Sequence, residues 1–453
     1  MNTKLPIVAI VGRANVGKSS LYNALLGRRE AVVAREAGTT RDAIASRLPW
    51  GGGEYWLVDT AGFKAAEDDF ELSIQEQITE ATAAADVIIV TIEAPAVLSD
   101  EDRKVAKLAH KSKKPLVLVV NKLDQVKNPS EQDYLGLGIK KVVFTSTTQK
   151  KGLEELLEAV EAEIPPGKPL RDSNTVTVAL LGRPNVGKSS LFNSLAKKQQ
   201  AVVSDRAGTT RDVNRITMRF EGQDVVLLDT AGIRKAGKVE MGVEHFSILR
   251  SIASIEEADI CMLVLDAGDI GTSLDQKIAG MIKDAGRGLV LLVNKYDSLE
   301  KDGYTHTDIL RQLAGVFDYV PWAPVILTSA VTGQNVTKLF EMAVQINKTR
   351  ETSFKTAELN KWLAKIISSH PPAGLKNRQP RLRYMVHEEG NPIPSFKIFG
   401  SQTRFLHWSY KRYMERTFRE KWPMDGTPIK FWFIEQHGDN PTVKKRKTTH
   451  KKT

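Results

Sequence analysis

The sequence predicts an α/β chain with two tandem domains, each a mostly parallel sheet covered by helices on both faces, followed by a small α+β module. Three observations lead there. A block of motifs recurs at a fixed offset within the 453 residues. Inside each copy, short and nearly continuous apolar runs alternate with amphipathic stretches, the mark of a sheet buried on both faces. After Thr349 both the pattern and the charge change.

The repeat carries the domain plan. Gly12-Arg-Ala-Asn-Val-Gly-Lys-Ser-Ser20 recurs as Gly182-Arg-Pro-Asn-Val-Gly-Lys-Ser-Ser190, an offset of 170. Ala37-Gly-Thr-Thr-Arg-Asp42 recurs from Ala207, and Asp59-Thr-Ala-Gly62 from Asp229, at the same offset. Asn121-Lys-Leu-Asp124 recurs as Asn294-Lys-Tyr-Asp297 at 173. A register held from Gly12 to Gly62 that then drifts by three describes a duplicated domain with a loop insertion. The expected division is 1–163, a Pro/Gly/Ser-bearing linker at 164–175, 176–349, a module at 350–440 and a basic tail at 441–453.

In the first copy, Ile7–Val11, Tyr55–Val58, Val87–Ile92 and Leu116–Val120 read as strands. Ser19–Leu26 and Gly152–Glu163 read as helices. In the module, Thr356–Ser368 places Leu359, Trp362, Leu363 and Ile366 on one helical face, and Pro371 with Pro372 ends it. Arg381–Met385 and Ser395–Phe399 read as strands around a turn at Gly390-Asn-Pro392, and Pro428–Ile434 as a last strand. Between them Ser409–Lys421 is helical, with Tyr410, Tyr413 and Phe418 apolar and Lys411, Arg412, Arg416 and Arg419 largely opposite.

Composition mainly excludes. No apolar run approaches the ~20 residues that span a bilayer, and Met1 to Val11 lacks a signal-peptide layout. The one cysteine, Cys261, rules out an intrachain disulfide framework and reads as an inert thiol in a buried strand. A cytoplasmic monomer without stable membrane association is expected. The net charge of +11 is unevenly placed. Residues 351–453 hold 21 Lys/Arg against 9 Asp/Glu, leaving 44 against 45 for the rest, so a polyanion is the expected partner of the C-terminal region.

G-x-x-x-x-G-K-S directly after an apolar strand, opening a helix, is the context of a P-loop. Its backbone N–H groups curl around nucleotide phosphates, which implicates Gly12, Asn15, Val16, Gly17, Lys18, Ser19 and Ser20, and Gly182, Asn185, Val186, Gly187, Lys188, Ser189 and Ser190. Lys18 and Lys188 reach the β- and γ-phosphates, while Ser19 and Ser189 are Mg²⁺ ligands. Asp59 and Asp229, ending apolar strands, face the same Mg²⁺, and Gly62 and Gly232 bring an N–H to the γ-phosphate. In N-K-x-D, the carboxylates of Asp124 and Asp297 accept from guanine N1–H and its 2-amino group, a donor pair adenine lacks. Asn121 and Asn294 accompany them, with the Lys122 and Lys295 stems along the base. Ser146 in the first copy, and Ser329 with Ala330 in the second, belong to the loop that completes the guanine pocket. Tandem P-loop domains binding GTP or GDP with Mg²⁺ are therefore expected.

Small signalling GTPases follow D-x-x-G with a water-orienting glutamine. Here Phe63 and Ile233 stand at those positions, and neither copy shows an arginine finger, so slow intrinsic hydrolysis is expected. Asn15 and Asn185 resemble the potassium-coordinating asparagine of cation-activated GTPases, whose first switch carries the same Gly-Thr-Thr-Arg-Asp string. That resemblance implies K⁺ at Asn15 and Asn185. It also implies Mg²⁺ at Thr40 and Thr210, with Thr39 and Thr209 as neighbours. The catalytic set is then Lys18, Thr40 and Gly62 with Lys188, Thr210 and Gly232.

The C-terminal module resembles a KH-like RNA-binding domain but lacks the G-x-x-G clamping loop. Its basic helix and the tail Lys444-Lys-Arg-Lys447, with Lys451 and Lys452, can meet RNA phosphates. Over its full length the chain resembles the bacterial Der (EngA) family, with Asp275–Gly286, Arg381-Leu-Arg-Tyr384 and Gly426-Thr-Pro-Ile429 adding to the match. The resemblance implies GTP hydrolysis in assembly of the large (50S) ribosomal subunit, with that subunit and its rRNA as partners. Departures are Ala14, Thr147 and Phe431-Trp-Phe-Ile434. A tRNA-modification GTPase shares the switch string, but carries one such domain; a GTP-binding RNA scaffold is the other alternative.

Overall fold

The computed structural model describes residues 5–30, 45–50, 53–59, 81, 84–94, 98–126, 130–165, 175–202, 215–220, 223–228, 248–299, 305–375, 378–391 and 393–435. The chain divides into two compact units, Met1–Asn347 and Lys348–Thr453.

In the first unit, β1 (Ile7–Val11) is buried along its whole length, as a β-branched run between two sheet faces must be. It leads through the first P-loop into α1 (Lys18–Glu30). A hairpin of β2 (Ala45–Trp50) and β3 (Gly53–Asp59) follows, then β4 (Val87–Glu93), α2 (Asp100–Lys111), β5 (Leu116–Asn121), β6 (Val142–Phe144) and α3 (Leu153–Glu161). The sheet order is β2-β3-β1-β4-β5-β6, with every pair parallel except β2 with β3.

The second copy repeats this plan. It comprises β7 (Thr175–Leu181), α4 (Lys188–Val202), β8 (Arg215–Phe220), β9 (Gln223–Leu228), α5 (Ile248–Glu257), β10 (Ile260–Asp266), α6 (Ser273–Asp284), β11 (Gly288–Asn294), α7 (Thr305–Val316), β12 (Val325–Leu327) and α8 (Lys338–Arg350). The order β8-β9-β7-β10-β11-β12 matches the first sheet strand for strand. Cys261 is fully buried on β10. β7 takes in Thr175, so the strand starts one residue inside the expected linker. The antiparallel edge strands, β2 and β8, are absent from the sequence expectation. Each pairs antiparallel on one side only, and such strands need no continuous apolar run.

One buried apolar cluster runs through both copies, from Ile7, Trp56 and Val58 to Ile252, Ile255 and Leu289. The seam also holds a polar knot. The Trp56 indole N–H donates to Glu256 Oε1 at 2.7 Å, and Arg287 donates to Glu256 Oε2 at 2.9 Å. The Leu5 backbone N–H reaches the same carboxylate at 3.3 Å, and Arg47 donates to the Asp284 carbonyl at 2.6 Å.

The second unit orders α9 (Thr356–Ser369), β13 (Arg381–His387), β14 (Ser395–Ser401), α10 (Trp408–Lys421) and β15 (Lys430–Glu435). β13 and β14 pair antiparallel, and β14 and β15 parallel. Leu359, Trp362, Leu363 and Ile366 are buried, together with Tyr410, Met414 and Phe418 of α10, against Phe396 and Ile398. Each buried aliphatic or aromatic side chain here contributes about 1.5–3 kcal/mol. Arg419 corrects one expectation: only 15% exposed, it pairs with Glu415 and donates to the carbonyls of Met424 and Thr427. It ties α10 to the following turn rather than offering charge to a phosphate.

Candidate nucleotide-binding sites

Both P-loops occupy the turn between a buried strand and a helix, so the first helical N–H groups face the loop's concavity. Gly17 and Gly187 each have φ of +93°, a region closed to most side chains. A Cβ at these positions would stand 2.4 Å from Asn121 Nδ2 and 2.2 Å from Asn294 Nδ2. The loop therefore closes tightly onto the N-K-x-D asparagines. Asn121 Nδ2 donates to the Val16 carbonyl at 3.0 Å, and Asn294 Nδ2 to the Val186 carbonyl at 2.9 Å. These asparagines, 1% exposed, lock one nucleotide motif to the other.

Lys18 is 5% exposed, its ammonium donating to the carbonyls of Gly12 at 2.8 Å and Arg13 at 2.6 Å. Lys188 donates to the Arg183 carbonyl at 2.7 Å. Both lysines thus curl over their own loops, with the charge held where phosphate oxygens would approach. Gly12 and Gly182 are buried, whereas Ser20 and Ser190 are exposed. Ser19 is exposed and Ser189 half-buried, each in the first turn of its helix. Asp59 closes β3 beside Ile10 of β1 and is 3% exposed. A hard-oxygen set of hydroxyl and carboxylate under a lysine-lined loop suits Mg²⁺ with a polyphosphate. Asn15 and Asn185 have φ of 62° and 63° and exposed side chains. Asparagine tolerates this left-handed region better than most residues.

At the base end, Asp124 and Asp297 lie exposed in short 3-10 turns following β5 and β11. Ser146 Oγ donates to Asp124 Oδ1, while Thr145 Oγ1 donates to Asn121 Oδ1 at 3.1 Å. Ser146 therefore orients the carboxylate. In the second copy the Ala330 N–H donates to Asn294 Oδ1 at 3.1 Å, and Ser329 Oγ accepts from the Thr332 N–H. Thr39, Thr40, Gly62, Phe63, Thr209, Thr210, Asp229, Gly232 and Ile233 lie outside the described residues. So does the tail with Lys444–Lys447, Lys451 and Lys452.

Sequence reasoning missed the acids beneath each loop. Glu93 binds both Arg13 and Lys122, the latter at 2.5 Å. Lys122, with Arg13, holds the Glu93 carboxyl below its ordinary value against the opposing effect of burial. In the second copy Lys295 meets Asp266 at 2.7 Å and Arg183 meets Asp269 at 2.6 Å. Burial raises the Asp266 carboxyl, but Lys295 and the Gly268 N–H outweigh it and leave it lowered. Asp102 and Asp275 close the capping boxes of α2 and α6 and also pair with Arg13 and Arg183. Both loop arginines are thereby anchored beside their own loops. The signal was available: Glu93 and Asp266, like Asp102 and Asp275, are 173 residues apart, the offset of N-K-x-D.

A P-loop with its lysine curled over it, locked to an N-K-x-D motif on the next strand but one, defines a nucleoside-triphosphate-binding domain of the P-loop class, here present twice. Comparison with known proteins narrows this. The family model "50S ribosome-binding GTPase" matches residues 7–122 and 177–295, and the model "KH-domain-like of EngA bacterial GTPase enzymes, C-terminal" matches 354–433. The chain is 39% identical over 434 residues to GTPase Der of Chloroflexus aggregans, covering 94% of this chain and 96% of that protein. It is 38% identical to GTPase Der of Herpetosiphon aurantiacus (94% and 95% covered) and 38% identical to that of Levilactobacillus brevis (94% and 98%). The chain belongs to the GTPase Der family. It is a GTP-binding protein and a GTPase, using GTP, GDP and Mg²⁺.

Proposed function

We propose that the chain is a guanine-nucleotide switch in assembly of the large ribosomal subunit, with two active sites and an RNA-facing C-terminal module. The observation that carries it is the pair of matching sites. In both copies a lysine curls over its P-loop, and the N-K-x-D asparagine braces the same loop carbonyl.

In this reading Lys18 and Lys188 neutralise the β/γ-phosphates. Ser19, Thr40 and Asp59, with Ser189, Thr210 and Asp229, hold Mg²⁺, which shields the phosphate charge. Gly62 and Gly232 sense the γ-phosphate, and Asp124 and Asp297 read guanine. Arg13 and Arg183 are anchored by acids, and Phe63 and Ile233 cannot orient water. K⁺ at Asn15 and Asn185 supplies the charge stabilisation that an arginine finger gives elsewhere. The exposed carboxamides at the loop mouths support this reading. The ribosomal role is supported by the matched family descriptions and by the +12 balance of residues 351–453. The chain acts as a cytoplasmic monomer; among the described residues no helix is long and apolar enough to cross a membrane.

Sedimentation through sucrose with large subunits tests the switch. The chain should pellet with a non-hydrolysable GTP analogue and stay behind with GDP, and the association should weaken steeply with salt. Equal pelleting with both nucleotides would sink the reading.

A further inference from the structure

We propose that the outer face of the C-terminal sheet is a stacking platform for single-stranded RNA. The proposal deepens the RNA-facing reading above and rests on it. Alternation along the strands sets the two faces apart. Met385, Phe396 and Ile398 point inward, each fully buried against α9 and α10, with Phe431 and Phe433 packed beside them. Tyr384, Lys397, Phe399, Lys430, Trp432 and Ile434 take the alternate positions, with Tyr384 opposite Phe399, Lys397 opposite Trp432 and Phe399 opposite Ile434.

This outer face is aromatic and basic together. Tyr384 is 46% and Trp432 42% exposed, although both are large rings that burial would favour. The Tyr384 and Phe399 rings lie 6.4 Å apart, and the Lys430 ammonium stands 4.1 Å from the Trp432 ring centroid. Phe399 and Trp432 are diagonal neighbours on this face. A register shift between Leu382 and Tyr384 sets an extra residue, Arg383, into the edge strand, and both Arg381 and Arg383 are exposed. Lys397 is engaged by Glu388 at 2.7 Å, and Lys430 lies over the Trp432 ring.

Exposed rings on a sheet, interleaved with cations, suit unpaired bases rather than a duplex. Bases stack on the rings while lysine and arginine meet the phosphates, as on the sheet face of RRM domains. An A-form duplex hides its base faces and offers the rings nothing. The face also supplies a mode of contact to a module without the G-x-x-G clamp.

The test uses the full-length, GDP-loaded chain and a fluorescein-labelled uridine oligonucleotide of about twelve nucleotides, a length within the usual single-strand site size. Anisotropy at low salt should show Trp432→Ala weakening binding at least about fivefold, the low end for losing one stacked base. Adding Tyr384→Ala should weaken it further, and Trp432→Phe should restore most of the affinity. GTP turnover should stay at the parent rate in all three, which reports folded GTPase copies, while recovery of binding in Trp432→Phe reports a folded C-terminal module. The proposal is overturned if Trp432→Ala binds within twofold of the parent. It is equally overturned if an RNA duplex binds as tightly as the single strand, or if oligoglutamate of matched charge displaces the RNA as well as unlabelled RNA does. Unaltered particle sedimentation alongside any of these results would remove the face and leave the ribosomal reading standing. Ring-dependent oligonucleotide binding without particle association would do the reverse.

Discussion

Replacing Trp56 with phenylalanine should loosen the seam between the two GTPase copies and leave each nucleotide site intact. The indole N–H donates to Glu256 Oε1 at 2.7 Å, and both side chains are essentially buried, at 0% and 1% exposed. Phenylalanine keeps most of the ring's apolar contact and removes only the donor. A hydrogen bond to a charged acceptor is worth about 1.5–3 kcal/mol. Glu256→Gln acts from the other side. It removes the charge that offsets Arg287, itself 6% exposed, and breaking such a buried pair costs about 3–5 kcal/mol when a partner is lost entirely. Glutamine retains an acceptor, so the low end applies. A chain of several domains does not unfold in two states, so native-state hydrogen exchange is the suitable measurement. Trp56→Phe should speed exchange across β3 and α5 by about tenfold to 150-fold, the kinetic equivalent of 1.5–3 kcal/mol, with little change in β5. The double variant should fall short of additivity by at least about 1 kcal/mol, because both changes remove the same bond. If the effects add to within about 0.3 kcal/mol, the bond contributes nothing and the apolar cluster alone holds the seam.

Gly17→Ala forces a side chain into φ +93° and within 2.4 Å of Asn121 Nδ2, so GDP affinity of the first copy should fall about tenfold or more by fluorescent-nucleotide titration. Gly187→Ala should do the same to the second copy, and unchanged affinity would dismiss the backbone explanation. Lys18→Ala and Lys188→Ala, made separately, should each abolish GTP turnover in one copy, leaving a residual rate that belongs to the other. Asn15→Gly keeps the left-handed loop, because glycine enters it freely, but removes the carboxamide; K⁺ stimulation over Na⁺ in the first copy should vanish while loop geometry survives. Glu93 has a lowered carboxyl pKa, held down by Lys122 and then Arg13, so the stability it contributes is present above about pH 4.3 and lost as pH falls through its folded value. Glu93→Gln should therefore flatten the acid limb of the unfolding curve, and an unaltered limb would show the pair to be solvent-screened.

The nucleotide sites are legible in the sequence because their chemistry is short-range. Gly12 to Ser20 fixes a backbone shape within nine residues, and the duplication shows it twice. Buried parallel strands such as β4 and β5 announce themselves as apolar runs. β2 does not: Ala-Ser-Arg-Leu-Pro-Trp carries a proline and an arginine, which an edge strand tolerates and a central one excludes. Arg419 reads as part of a basic face until the fold places the Met424 and Thr427 carbonyls beside it, and helical periodicity cannot foresee that contact.

The seam was hidden for a different reason. The two copies meet through different surfaces, β2 and β3 of the first against α5 and α6 of the second, so the contact residues need not match between them. The register shows where. Trp56 falls opposite Val226 at the offset of 170, and Arg287 opposite Lys114 at 173. Motif searching discards such mismatches as drift, yet they mark where the copies stopped being equivalent. Trp56 lies three residues before Asp59, and Glu256 is the penultimate residue of α5. The bond at 2.7 Å therefore joins the strand that ends at Asp59 of one copy to α5 of the other. A shift carried along β3 meets a buried, charged contact at the seam.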